Sequence, residues 1–138
     1  MTDMGIELAT KYDQRVPRYT SYPTAPHFTD AVGEPAYRRW LAECMPGTDL
    51  SLYFHIPFCA SMCWFCGCNT KVVKRYAPIR RYLDVLRKEV DLVAEALPGR
   101  FAVRHIHWGG GSPTMLRGSD WRDLFEHLQA RFDFTTET

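Results

Sequence analysis

From Leu50 the chain alternates. Leu50, Leu52, Phe54 and Ile56 are apolar, with Ser51, Tyr53 and His55 between them. A period of two sends successive side chains to opposite faces, so it predicts a half-buried strand, ended by Pro57. The period changes near Pro78, a residue suited to a first helical turn. Ile79, Tyr82, Leu83, Leu86, Val90, Val93 and Leu97 form one apolar face at helical spacing, predicting a helix that Pro98-Gly99 stops. Val103–Trp108 reads as a second strand, with Gly109-Gly110-Gly111-Ser112-Pro113 as a tight loop at its end. Trp121, Leu124, Phe125, Leu128 and Phe132 mark the buried side of a second helix, with Ser119 as its cap, and a third strand is expected within Thr135–Thr138.

The N-terminal part is different. Pro17, Pro23, Pro26, Pro35 and Pro46 punctuate residues 1–48, and proline breaks helices and ladders alike. Tyr37, Trp40, Leu41 and Cys44 predict a short helix over Glu34–Cys44, and Arg15–Thr24 reads as extended. Trp40, Trp108 and Trp121 are expected in the core. The domain reading is therefore an N-terminal arm over 1–48 and an α/β unit over 49–138. Strands alternating with helices imply parallel βα units, whose ligands bind at the C-terminal edge of the strands. Both conspicuous loops, cysteine-rich and glycine-rich, fall on that edge. Two parallel strands make a poor sheet on their own. The expectation is the front of a longer α/β fold, truncated here or completed by another chain, so that the isolated chain would be poorly soluble and inactive.

Composition narrows the class. At 46% hydrophobic and 24% charged, the 138 residues are neither disordered nor low-complexity. A net charge of +1 sets up no global field toward nucleic acid or an anionic membrane. No apolar run approaches the roughly 18 residues of a spanning helix. The first residues carry neither a basic nor an apolar leader segment, so the expected compartment is the cytoplasm.

The five cysteines change the picture most. Cys44 stands alone and is expected to pack in its helix like a small hydrophobe. The other four form Cys59-x3-Cys63-x2-Cys66-x-Cys68. An odd total and such tight clustering oppose a disulfide framework and favour a metal or cluster. Thiolates suit zinc or an iron–sulfur centre. Structural zinc usually wants a second, distant knuckle, which is missing, and the spacing is not the two-cluster ferredoxin run. His55, His105 and His107 sit in predicted strands and read as scaffold residues.

Cys59-x3-Cys63-x2-Cys66 after a first strand resembles the signature of the radical S-adenosylmethionine (SAM) enzymes. Phe54-His55-Ile56-Pro57-Phe58-Cys59, Cys63-Trp64-Phe65-Cys66-Gly67-Cys68-Asn69 and His107-Trp108-Gly109-Gly110-Gly111-Ser112-Pro113-Thr114 resemble the oxygen-independent coproporphyrinogen III oxidases. So does the arm Arg18-Tyr19-Thr20-Ser21-Tyr22-Pro23-Thr24-Ala25. Gly67-Cys68-Asn69 separates that family from its haem-chaperone relatives, which together with a structural zinc module are the competing readings. Ser112 stands where the family commonly has threonine, and both offer a hydroxyl.

The resemblance implies an arm followed by the first two βα units of a partial (β/α)6 TIM-like barrel. It implies a [4Fe–4S] cluster on Cys59, Cys63 and Cys66, with the fourth iron left for SAM. Cys68 is then a neighbouring thiol that packs or tunes, since a fourth ligand would close that iron. Tyr53 and Gly110 become contacts to this SAM, and Phe65, Gly111 and Ser112 contacts to a second one. The implied reaction belongs to haem biosynthesis. A 5′-deoxyadenosyl radical takes hydrogen from the propionates of coproporphyrinogen III, and two of them become the vinyl groups of protoporphyrinogen IX. The implied partners are that substrate and a reductant such as flavodoxin or ferredoxin, in a monomer. The basic stretch of Lys71, Lys74, Arg75, Arg80 and Arg81 is either a solvated surface or a receiver of substrate carboxylates.

Overall fold

A computed structural model of the chain describes residues 25–135 and 138, with residue 7 and residues 10–13. The extended arm expected over Arg15–Thr24 lies outside the described residues. Two compact units divide the chain, Met1–Gly33 and Glu34–Thr138. In the first, Ala25–His27 forms one 3-10 turn, and the Ala31 amide donates to the Thr29 hydroxyl at 3.4 Å.

The second unit opens with α1 (Glu34–Ala42), so the helix counted with the arm in the sequence stands with the α/β unit. Next come β1 (Leu50–Ile56) and two short strands, β2 (Phe58–Cys59) and β3 (Lys71–Val72), that bracket the cysteine loop. They are followed by α2 (Ala77–Ala96), β4 (Ala102–Gly110), a 3-10 turn at Pro113–Met115, α3 (Gly118–Arg131) and β5 (Asp133–Phe134). The main sheet has the order β1-β4-β5, and both pairings are parallel. The expected third strand is thus present, two residues earlier than Thr135. The two-stranded ribbon β2-β3 is parallel as well.

Register follows from the alternation. Leu52 lies opposite Ile106, Tyr53 opposite His107, Phe54 opposite Trp108 and His55 opposite Gly109. One face of the pair therefore carries Leu52, Phe54, Ile106 and Trp108. The other carries Tyr53, His55 and His107, because side chains two apart share a face. The apolar face meets the helices. Phe54, Ile56 and Val103 form one core with Ile79, Leu83, Leu86 and Val90 of α2 and Leu124 and Leu128 of α3. Those that are fully buried, Ile56, Ile79, Leu83, Val103, Leu124 and Leu128, each contribute about 1.5–3 kcal/mol relative to exposure. Trp108 stacks on Phe54 at 4.5 Å and meets Trp121 edge-on at 4.6 Å, so both tryptophans pack on this core as expected.

Two expected core residues are not buried. Trp40 is 49% exposed and Phe125 is 42% exposed. Helical spacing shows which side chains share a face but not how wide the covering surface is. The helix expected to run to Cys44 ends at Ala42, and only Leu41, in its last turn, and Cys44, just beyond it, reach the core. Among the described residues no helix is long and apolar enough to cross a membrane.

Candidate functional site

The site is built at the C-terminal end of the β1–β4 pair, where both loops leave the sheet. Pro57 ends β1 by lacking an amide donor. The chain then runs through β2, loops out, and returns as β3. The Lys71 amide donates to the Pro57 carbonyl at 2.7 Å, and the Val73 amide to the Cys59 carbonyl at 3.0 Å. Lys74 Nζ adds a bond to the Ala60 carbonyl at 3.0 Å. Both ends of the cysteine loop are therefore held, and Cys59 sits on the fixed part.

The glycine loop closes onto the same ribbon. The Gly111 amide donates to the Ile56 carbonyl and the Ser112 amide to the Phe58 carbonyl, each at 2.8 Å. Ser112 Oγ lies 3.8 Å from Cys59 Sγ, within reach of a weak hydroxyl-to-sulfur bond. The run of glycines is a consequence of this closeness. A Cβ on Gly111 would stand 2.5 Å from the Phe58 carbonyl oxygen, and one on Gly109 would stand 2.8 Å from the Tyr53 ring. Gly110 has a φ of +96°, which L side chains avoid, and faces the His55 ring.

Beneath the loops lies the polar sheet face. The Tyr53 ring stacks on His107 at 5.6 Å. Its hydroxyl is 3.1 Å from His55 Nδ1, and His55 Nε2 is 2.8 Å from the Asn69 carbonyl. A carbonyl only accepts, so Nε2 donates to it, and in that tautomer of the neutral ring Nδ1 accepts from Tyr53. His55 is a scaffold residue, as its strand position implied, and its role is to tie the end of the cysteine loop to β1. From behind, the Tyr82 hydroxyl donates to the His55 carbonyl. Burial, and then the charge of Glu89, hold the Tyr82 phenol above its usual range.

The four loop cysteines are free thiols; Cys59 is half-buried, and Cys63, Cys66 and Cys68 are exposed. The Cys66 amide donates to the Cys63 carbonyl at 3.2 Å, forming a turn between them. The Thr70 hydroxyl, 3.6 Å from Cys66 Sγ, and then the Cys68 backbone pull the Cys66 thiol below its ordinary value of 9.0. Nothing in the cysteine spacing announces Thr70, although a hydroxyl four residues after a cysteine was there to be noticed. Among the described residues, no three His, Cys, Asp or Glu side chains are gathered closely enough to hold a metal ion. In chemistry the donor set fits a soft iron–sulfur centre: unpaired thiols on one anchored loop, one of them acidified. Phe65, between two of the cysteines, is 99% exposed, and Tyr53 is 58% exposed on the sheet face beside the loops.

A second polar cluster braces the outer side. Asp120, in the first turn of α3, is 1% exposed. It accepts from the Tyr76 hydroxyl and pairs with Arg80 at 3.3 Å. Tyr76 in turn accepts from the Arg117 amide at 2.9 Å. The exits of both loops, at Tyr76 and Arg117, thus share one buried carboxylate. Ser119, expected as the cap of this helix, makes no capping bond; the helix starts at Gly118, and Asp120 supplies the negative charge near its N-terminus.

Comparison with known proteins agrees with this arrangement. An oxygen-independent coproporphyrinogen III oxidase of Bradyrhizobium diazoefficiens is 46% identical over 130 residues, covering 94% of this chain and 29% of the relative. The protein of that name from Paracoccus denitrificans is 50% identical over 111 residues, covering 80% of this chain and 25% of the relative. A solved structure of coproporphyrinogen III oxidase from Escherichia coli, described as a radical SAM enzyme, superposes with a TM-score of 0.80 at 39% identity. It matches over 96% of this chain and 29% of that one. The chain thus spans under a third of the length of these relatives. The family model for the radical SAM superfamily matches residues 53–138, from the strand below the cysteine loop onward. The chain belongs to the radical SAM superfamily.

Proposed function

We propose that this chain carries the cluster-binding part of an oxygen-independent coproporphyrinogen III oxidase. In this reading Cys59, Cys63 and Cys66 hold a [4Fe–4S] cluster and leave one iron for SAM. When bound, the cluster and SAM together supply a carbon radical able to take hydrogen from an unactivated carbon. Tyr53 and Gly110 would contact this SAM, and Phe65, Gly111 and Ser112 a second one. The substrate would be coproporphyrinogen III, two of whose propionates become vinyl groups in haem biosynthesis. The enzyme would work in the cytoplasm as a monomer, with electrons from a flavodoxin- or ferredoxin-type protein.

One observation carries the reading: Ser112 of the glycine loop lies against Cys59 of the cysteine loop, both pinned to the C-terminal end of one parallel strand pair. A ligand held by the cluster would therefore meet the bare glycine backbone. The chain's own residues then orient and shield it. The Tyr53–His55–Asn69 bonds fix the floor, and Phe65 stands exposed on the cysteine loop, free to cover a ligand.

The test is anaerobic reconstitution with iron and sulfide. Cys59→Ser, Cys63→Ser and Cys66→Ser should each lose the visible cluster absorption, and Cys68→Ser should keep it. Loss in Cys68→Ser alone, or one zinc and no sulfide per chain, would overturn the reading.

A further inference from the structure

We infer that the segment Lys71–Arg81 is the docking face for the acidic protein that delivers electrons to the cluster, an inference that rests on the cluster assignment proposed above. No Asp or Glu occurs from Leu50 to Leu83, while Lys71, Lys74, Arg75, Arg80 and Arg81 fall within that run. In a chain of net charge +1, this makes the neighbourhood of the cysteine loop locally cationic. All five are exposed.

The cations are joined to the first cysteine. Strand β3 pairs Val72 with Cys59, and the Val73 amide is bonded to the Cys59 carbonyl. Val72 is itself 40% exposed. A protein resting on Lys71 and Val72 is therefore one strand away from a cluster ligand, with a backbone hydrogen bond between them. The direction of Arg81 also favours a partner protein over the substrate. Ile79, Leu83, Leu86 and Val90 turn the inner side of α2 into the core. Arg81 is exposed with Asp84, Val85 and Lys88, on the side of α2 that does not meet the sheet. The polar sheet face of Tyr53, His55 and His107 lies beyond that core. Within the segment, Arg80 pairs with Asp120 and Lys74 holds the loop, so Lys71, Arg75 and Arg81 are assigned to the partner.

Charge complementarity of this kind acts mainly on the rate of encounter and weakens with salt. The step is a one-electron transfer: the donor's reduced centre is oxidised by one electron, the cluster is reduced by one, and no covalent bond forms or breaks.

The experiment follows bleaching of the visible absorption of the reconstituted chain under two reductants, reduced flavodoxin and the small, uncharged 5-deazariboflavin radical that light generates in the presence of a sacrificial electron donor. The triple variant K71E/R75E/R81E should slow reduction by flavodoxin about tenfold or more and leave reduction by the deazaflavin unchanged. Reversal of Arg122, exposed on α3, should alter neither rate. In the unaltered chain the flavodoxin rate should fall steeply as salt is raised. If the triple variant fails to hold a cluster, K71Q/R75Q/R81Q and the salt series decide in its place. Equal flavodoxin rates in the variant, or a flat salt series, overturn the docking face while the cluster stands. Retention of an oligonucleotide through the same three residues, with electron transfer unaffected, assigns the face to nucleic acid and overturns it too. Failure of the unaltered chain to assemble any cluster removes the functional reading itself.

Discussion

His55 Nε2 reaches the carbonyl oxygen of Asn69 at 2.8 Å, joining the strand below the cysteine loop to the residue where that loop returns. The bond spans fourteen positions of sequence that are otherwise largely exposed. Residues that orient a ligand-bearing segment typically change metal affinity ten- to a hundredfold on removal. His55→Phe should therefore lower the iron and sulfide bound after anaerobic reconstitution by about tenfold, with the far-ultraviolet circular dichroism unchanged. Full incorporation in that variant would show that Lys74 and β3 hold the loop unaided.

The glycines of the second loop should rank by what their missing side chains would strike. Gly111→Ala drives a methyl against the Phe58 backbone, which cannot yield without parting the two loops. Its cost should be about 2 kcal/mol or more, seen as a fall of several degrees in Tm. Gly109→Ala first meets the Tyr53 ring, a side chain that can yield by giving up its bond to His55. It should cost about 1 kcal/mol or less and act mainly on SAM affinity. A larger loss of stability in Gly109→Ala would refute this ranking.

Tyr76 and Asp120 should behave as one unit. Tyr76→Phe removes a bond to a buried carboxylate and should cost about 1–3 kcal/mol. The double variant with Asp120→Asn should lose less than the two single losses added together, as measured by denaturant unfolding.

The same pair sets an alkaline limit. Burial, and then the Asp120 carboxylate, push the Tyr76 phenol above its ordinary value of 10.0 in the folded chain. The unfolded chain then releases this proton first. The stabilisation is complete below pH 10 and falls as the pH rises above it toward the folded value. Tyr76→Phe should flatten that part of the curve of stability against pH; an unchanged slope would assign it to other groups.

Arg100 clamps the end of α3. Its guanidinium donates to the carbonyls of Gln129, Ala130 and Phe132 at 2.6–2.7 Å, and to the Asp133 carboxylate. The Gln129 and Ala130 carbonyls are orphan acceptors of the helix C-terminus, and β5 begins directly after Phe132. Arg100→Lys keeps the charge but not the fork. It should cost about 1–2 kcal/mol and speed amide exchange at Asp133, whose amide donates to the Phe101 carbonyl at 2.9 Å. Unchanged exchange there would mean that β5 does not depend on the clamp.

Much of this fold was written in periodicity. The alternation at Leu52, Phe54 and Ile56, and the stripe from Ile79 to Val90, each encode which side faces the core, and the parallel pairing followed. What was missed has a common cause. Strands of two residues, such as Phe58–Cys59 and Lys71–Val72, are too short to show a period, yet they hold the cysteine loop. Lys74 and Asn69 act through bonds between a side chain and loop backbone fourteen residues away, and Thr70 through a local bond to the Cys66 sulfur; composition is silent on all three. Trp40 and Phe125 show the opposite error, an apolar residue in helical register without a surface above it. The cysteine and glycine loops were recognised from local motifs; that Ser112 would lie against Cys59 required the register of β1 on β4.

The pairing of Leu50 with Val103 also has a consequence in time. Synthesis delivers β1 and its thiols first, and roughly fifty more residues must follow before β4 exists. At about 5–20 residues per second, that is an interval of some seconds. During it the Ile56 and Phe58 carbonyls have no glycine-loop amides to receive, and Cys59 has no Ser112 hydroxyl beside it. If the thiols hold a cluster as proposed, its assembly belongs after translation of β4, and a ribosome stalled between Asn69 and Ala102 would hold them when they are most open to oxidation.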